Sequence, residues 1–99
     1  MKNQSIAEKN DQVRKSLSGC RVMLTAGVAQ GERRDAVIAA VKNFDKFNKG
    51  NDPYGERDFG FVEAGGSKYF FKFDYFDSNY EFFQEDGYRV LTIGRADEY

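Results

Sequence analysis

The paired glycines Gly65-Gly66 constrain this chain more than any other feature. They separate two runs rich in strand-forming residues, Phe59 to Ala64 and Ser67 to Tyr75. A two-residue glycine turn between such runs makes a hairpin with little freedom of register. Counting outward from the turn sets Glu63 opposite Lys68, Phe61 opposite Phe70 and Gly60 opposite Phe71. The first pair joins opposite charges, and in the last a ring can cover a bare glycine. Alternation along the second strand puts Tyr69, Phe71, Phe73 and Tyr75 on one side and Phe70, Lys72, Asp74 and Phe76 on the other. One side can face a helix, while the other mixes rings with charges.

The residues before the hairpin read differently. Ser5-Ile6-Ala7-Glu8 has the form of a capping box, which predicts a helix from about Ile6 to Leu17 with a thin apolar stripe of Ile6, Val13 and Leu17. Gly19 can stop it. Arg21 to Val28 (RVMLTAGV) reads as a strand buried on both faces, because the apolar run is nearly continuous. A second helix is predicted from about Glu32 to Asn48, with Val37, Ile38, Val41, Phe44 and either Asn48 or Phe47 on its inner face. Asn51 to Glu56 is a dense turn around Pro53. After the hairpin, Tyr80 to Phe83 is either a short strand or an aromatic loop, Glu85-Asp86-Gly87 is a tight turn, and Tyr88 to Ile93 is a final strand before a short polar tail. The expected fold is a single α+β domain over 1–99, with residues 1–4 disordered. A mainly antiparallel sheet of about four strands packs against one long helix, and the first helix caps the N-terminal side.

Charge and aromatic content divide at the same place. Residues 1–43 carry eight Lys/Arg against four Asp/Glu, and residues 44–99 carry seven against twelve, within a net charge of −1. All sixteen Phe and Tyr residues lie from Phe44 onward. A basic, helix-rich front therefore precedes an acidic, aromatic, strand-rich back, and such asymmetry can mark a surface that meets a partner.

Missing residues restrict the chemistry. The chain has no histidine and one cysteine, Cys20. Histidine is the commonest general base and zinc ligand, and a single thiol supports neither a disulfide framework nor a thiolate metal site. No calcium-loop pattern is present, and neither is the phosphate-binding G-x-G-x-x-G or P-loop lysine signature. Gly27 and Gly31 are better explained by a tight strand-to-helix turn than by an anion site, and Arg33-Arg34, Lys42, Arg14 and Lys15 by a solvated helix face. The expectation is a protein without catalysis, cofactor or metal. Without an export signal at its start or any membrane-spanning run, it is expected in the cytoplasm and off the membrane.

What remains is carboxylates among rings. Asp52, Tyr54, Glu56 and Asp58 surround the Pro53 turn, and Asp74, Phe76, Asp77, Tyr80 and Glu81 follow the hairpin. Turn capping, local ion pairs and core packing account for much of this. As a surface, rings would supply contact energy and carboxylates would steer a basic partner. Negative charge repels phosphate, so direct nucleic-acid binding is disfavoured.

Three blocks also resemble a known family. They are Arg21 to Val28; Phe44 to Phe47 with the run Asn51 to Gly60 (NDPYGERDFG); and Lys72 to Asp77 with Arg89 to Ile93. The chain from about Asn10 to Tyr99 is similar to the bacterial domain-of-unknown-function family 3768. The resemblance implies a real folded unit, found on bacterial chromosomes and plasmids, with no established activity. Combined with small size and missing catalytic groups, this leads to the expectation of an anti-defence inhibitor carried by a mobile element, of the anti-CRISPR type. It would cover a basic site on a protein partner such as a CRISPR effector subunit. The alternative is a regulatory module that binds a small ligand or forms a homodimer through its aromatic sheet.

Overall fold

A computed structural model describes residues 5–50, 52, 55–85 and 87–99. The predicted disorder of residues 1–4 falls outside them, as do Asn51, Pro53 and Tyr54 of the dense turn and Asp86. The hairpin forms as the glycines dictate. Strand β2 (Phe59–Ala64) pairs antiparallel with β3 (Ser67–Phe76), and Glu63 faces Lys68, Phe61 faces Phe70 and Gly60 faces Phe71. Gly65 and Gly66 both take positive φ, 57° and 83°, which suits a turn whose twist matches the strands. β3 then pairs antiparallel with β4 (Tyr88–Arg95).

Two expectations about the sheet are corrected. The first strand, β1, covers only Arg21–Leu24 and runs parallel to β4, so the sheet is mixed, in the order β1-β4-β3-β2. Nor is β1 buried on both faces: it is an edge strand, with Val22 and Met23 exposed. Its apolar run suggested burial because the last three residues of it belong to another element, the short helix α2 (Ala26–Ala29). The Glu98 carboxylate, from a 3₁₀ turn at Ala96–Glu98, accepts from Thr25 Oγ1 (2.6 Å) and from the Gly27 amide (3.0 Å). Those bonds hold the start of α2 in place where the run would otherwise continue as strand.

The long helix is also corrected. Helix α3 spans Arg34–Lys42, nine residues. Val37 and Val41 are buried as expected, with Ile38 and Phe44 packed beside them. Beyond Lys42 the backbone leaves the helix because its carbonyls find another donor. The guanidinium of Arg14, on helix α1 (Ile6–Ser16), donates from Nε to Val41 O at 3.1 Å and from Nη2 to Phe44 O at 2.7 Å. Phe44 and Phe47 still reach the core, with T-shaped contacts to Phe71 at 5.4 and 6.3 Å between ring centroids.

α1 has the capping box: Glu8 N donates to Ser5 Oγ at 3.1 Å and Ser5 N to Glu8 Oε1 at 3.2 Å. It ends at Leu17 in the left-handed region (φ 56°), before Gly19. Its most buried residues are polar. Asn10 and Arg14 are 0% and 1% exposed, while Ile6, Val13 and Leu17 flank the core. Burial of polar groups is tolerated only with partners. Asn10 Nδ2 donates to Tyr75 Oη (2.8 Å) and Glu56 O (2.9 Å), and its Oδ1 accepts from Arg89 Nε (2.6 Å). The helices thus cover the face of the sheet that carries Tyr69, Phe71, Phe73, Tyr75, Leu91 and Ile93, all in the buried core. The opposite face carries no α-helix among the described residues, but Tyr99 packs on it and helps bury Phe70. That face presents Met23, Phe61 and Tyr88 as exposed side chains.

Candidate functional site

β3 outruns β2. The last bond on the β2 side is Phe73 N to Asp58 O at 2.8 Å. Farther along, the loop after β3 folds back to take the same edge: Gln84 N donates to Tyr75 O (3.2 Å), Asp77 N to Phe82 O (2.8 Å), and Phe76 bridges Phe83. Between Asp58 and Gln84 the edge is unfilled, and a slot of about 410 Å³ opens there. The predicted residues Glu56, Asp58, Asp74 and Phe76 line it, joined by Glu85 and Phe83.

Backbone geometry turns the carboxylates to this place. Arg57 sits in the left-handed region (φ 54°), its amide donating to Asp52 Oδ1 at 3.0 Å, while its guanidinium pairs with Asp11 on α1. The carbonyl of Glu56 is tied to Asn10. Asp74 projects from β3 with Lys72 Nζ at 3.1 Å. Lys72 is the only cation ion-paired to a slot carboxylate among the described residues. Rings stand beside the slot, with Phe76 and Phe83 in its lining and Phe82, Tyr80 and Tyr88 outside it. Phe82 and Phe83 are 69% and 74% exposed, and Tyr80, at φ 58°, lies between Phe76 and Tyr88 with the Arg21 guanidinium 3.8 Å over its ring.

Crowded negative charge shifts the titration of these groups. Burial, followed by the charge of Asp58, pushes the Glu56 carboxyl above its ordinary value, and Glu85 and Asp52 add to the effect. Burial likewise raises Asp58, and its own backbone amide partly offsets the rise. The folded state therefore holds protons that the unfolded chain has already released, and stability from these groups falls as pH rises from the ordinary carboxylate range through their raised values. The double variant Glu56→Gln/Asp58→Asn should remove that part of the slope. Thermal melts between about pH 4 and 7 should converge for the two proteins at the acid end, with the variant more stable at neutral pH. Parallel curves would mean that neither carboxyl is raised above its ordinary value in the fold.

The remaining predicted residues are placed elsewhere. Asp52 serves the turn through Arg57 N, although its charge reaches Glu56 and Asp58. Asp77 closes the next turn, its Oδ1 accepting from Asn79 N and Glu81 N at 3.1 Å each, so Glu81 contributes backbone there. Tyr54 lies outside the described residues. Glu85 and Phe83 were not anticipated, since only the fold-back at Phe76 brings them to the slot. No group of three or more potential ligands among the described residues is arranged to hold a metal ion.

A family profile matches residues 24–98: "Protein of unknown function (DUF3768)". The chain belongs to the DUF3768 family. No curated protein and no solved structure shows significant similarity to it. The DUF3768 segment opens at Leu24, inside β1, and contains every slot residue except Ile6. α1 lies before it, yet supplies the Asn10 amide that holds Glu56. No helix among the described residues is long and apolar enough to cross a membrane.

Proposed function

We propose that this DUF3768 protein is a non-catalytic binding protein that engages a basic site on a protein partner through the acidic slot and the rings beside it. The observation that carries the reading is a slot lined by four carboxylates (Glu56, Asp58, Asp74 and Glu85), with Lys72 ion-paired to Asp74 and exposed rings beside it. A lysine or arginine side chain entering such a slot can pair with its carboxylates and lie against its ring faces. Rings and guanidinium–carboxylate pairs are the groups that dominate interface energies. The missing histidine and the mostly shallow carboxylates favour binding over catalysis. With a net charge of only −1, the protein does not imitate nucleic acid over its whole surface, so the slot acts locally. The biological setting that fits is an inhibitor of the anti-defence type, encoded by a mobile element and acting in the cytoplasm on a basic surface of a CRISPR effector subunit.

The test has two parts. The full chain is titrated with a short arginine-rich peptide and, as a control, with its citrulline analogue, and the protein is then expressed in cells carrying an active CRISPR system. Saturable binding of the charged peptide alone, together with reduced interference, is expected. A peptide that fails to bind overturns the slot as a cation site, and undiminished interference overturns the anti-CRISPR role. The sheet face away from the α-helices, with Met23, Phe61 and Tyr88 exposed, supports a second reading, self-association. A stable dimer by light scattering that blocks peptide binding would favour it.

A further inference from the structure

At the opposite end of β3 from the acidic slot, a second cavity of about 190 Å³ lies between the α2–α3 turn and the ends of β3 and β4. It has the reverse charge: Arg33, Arg34 and Arg95 line it, against the single carboxylate of Glu32. The arginines come from separate elements. Arg95 ends β4 directly opposite Tyr69. Arg33 lies across the hairpin turn, so close that a Cβ at Gly65 would overlap its guanidinium. Their charges are partly neutralised. Arg33 has no ion-pair partner among the described residues, Arg34 has Asp35 at 3.8 Å, and Arg95 has Asp97 at 3.3 Å and the charge of Glu98 nearby, Asp35 and Asp97 being largely exposed. Exposed pairs of this kind contribute little and leave the cations available.

Tyr69 points independently to a ligand. It is 5% exposed and lines the cavity, yet its hydroxyl makes no hydrogen bond among the described residues. No fully buried side-chain oxygen lacks a partner, so this hydroxyl must reach solvent, and the cavity is where Tyr69 meets it. A phenol donor otherwise surrounded by core, opening among three guanidinium groups, suits an oxyanion. The nearby amide of Gly27 is already taken by Glu98, so side chains must do the holding.

We infer that this cavity binds a phosphate group, held by the guanidinium groups of Arg33, Arg34 and Arg95 and by the Tyr69 hydroxyl as donor. Three planar forks offer more donors than a carboxylate can accept, whereas a tetrahedral phosphate has oxygens for all of them. The volume is below the range of about 300–1,000 Å³ typical of whole-ligand pockets, which suits one phosphoryl group with the remainder of its molecule outside.

The test is an amide-resolved NMR titration of the full chain, at constant ionic strength, with inorganic phosphate, with glycerol phosphate, and with chloride as control. Saturable shifts confined to Gly31–Arg34 and the neighbourhood of Tyr69 are expected. Tighter binding of glycerol phosphate would assign the site to phosphorylated small molecules, and tighter binding of inorganic phosphate to the free ion. Arg33→Gln and Arg34→Gln should each weaken binding roughly tenfold. Tyr69→Phe should weaken it about three- to tenfold with an unchanged melting temperature, because the ring still fills the core. No saturation below about 10 mM would overturn the inference. So would wild-type affinity in Arg33→Gln whose remaining spectrum shows it folded.

Discussion

Replacing Arg14 with alanine is expected to destabilise the domain by about 3–4 kcal/mol. Its guanidinium serves three elements at once. It donates to Val41 O and Phe44 O at the end of α3, pairs with Asp11 at 2.9 Å, and lies 5.2 and 5.5 Å from the Phe47 and Phe71 ring centroids. Alanine leaves a large cavity and takes the donor from Phe44 O, an orphan costing about 1–3 kcal/mol, while Val41 O keeps the Phe44 amide at 3.3 Å. Asp11 keeps Arg57, so no carboxylate is stranded. In a domain of this size the melting temperature should fall by roughly 15–25 °C. Arg14→Met restores most of the volume but none of the donors and should recover about half of the loss. Urea melts of the two variants measure the split. A cost below about 1 kcal/mol for alanine would mean that α1 does not hold the end of α3.

The second large effect has opposite signs in binding and in stability. The triple variant Glu56→Gln/Asp58→Asn/Asp74→Asn keeps side-chain shape and removes three of the slot's four carboxylates. If the slot receives a basic side chain, affinity for an arginine-rich peptide should fall at least about 100-fold, since close charge pairs at an interface each contribute about 1.5 kcal/mol or more. The fold should not suffer, because burial and mutual repulsion already disfavour the charged forms of Glu56 and Asp58. Their neutralisation should hold or raise the melting temperature at neutral pH. Sites kept for binding often have this cost in stability. Binding should also weaken with added salt in the wild type and lose that dependence in the variant. Equal affinity in both proteins would remove the slot from the proposed function, whatever becomes of the phosphate cavity, which lies at the other end of β3.

How far the sequence could be read depended on whether the deciding interaction was local. The capping box of α1 and the Gly65-Gly66 hairpin were both legible. So was the division of β3 into a helix-facing set (Tyr69, Phe71, Phe73, Tyr75) and an opposite set (Phe70, Lys72, Asp74, Phe76), because turn chemistry and strand period act within a few residues, although Phe70 is buried beneath Tyr99. The same logic failed wherever a distant group intervened. The apolar run after Arg21 looked like a doubly buried strand, yet Glu98, more than seventy positions away, holds Thr25 and Gly27 at the start of a helix. The periodicity of α3 ran on to Asn48, but Arg14 claims the carbonyls that would have continued it.

The candidate site shows the same boundary. Glu56, Asp58 and Asp74 were singled out as carboxylates among rings, and they do converge. Asp52 and Asp77 looked equivalent and instead close turns. Glu85 and Phe83 joined only because the loop after β3 returns to an edge that β2 leaves open. Sequence by itself determined the hairpin, its register and which half of the chain supplies the rings, since turn geometry and strand alternation are properties of neighbouring residues. Only the tertiary structure decided which carboxylates share a slot, that the sheet is mixed, and that Tyr69 opens among three arginines. Each of those rests on a hydrogen bond, ion pair or cavity between elements far apart in the chain, and no local pattern records which distant partner a polar group will find.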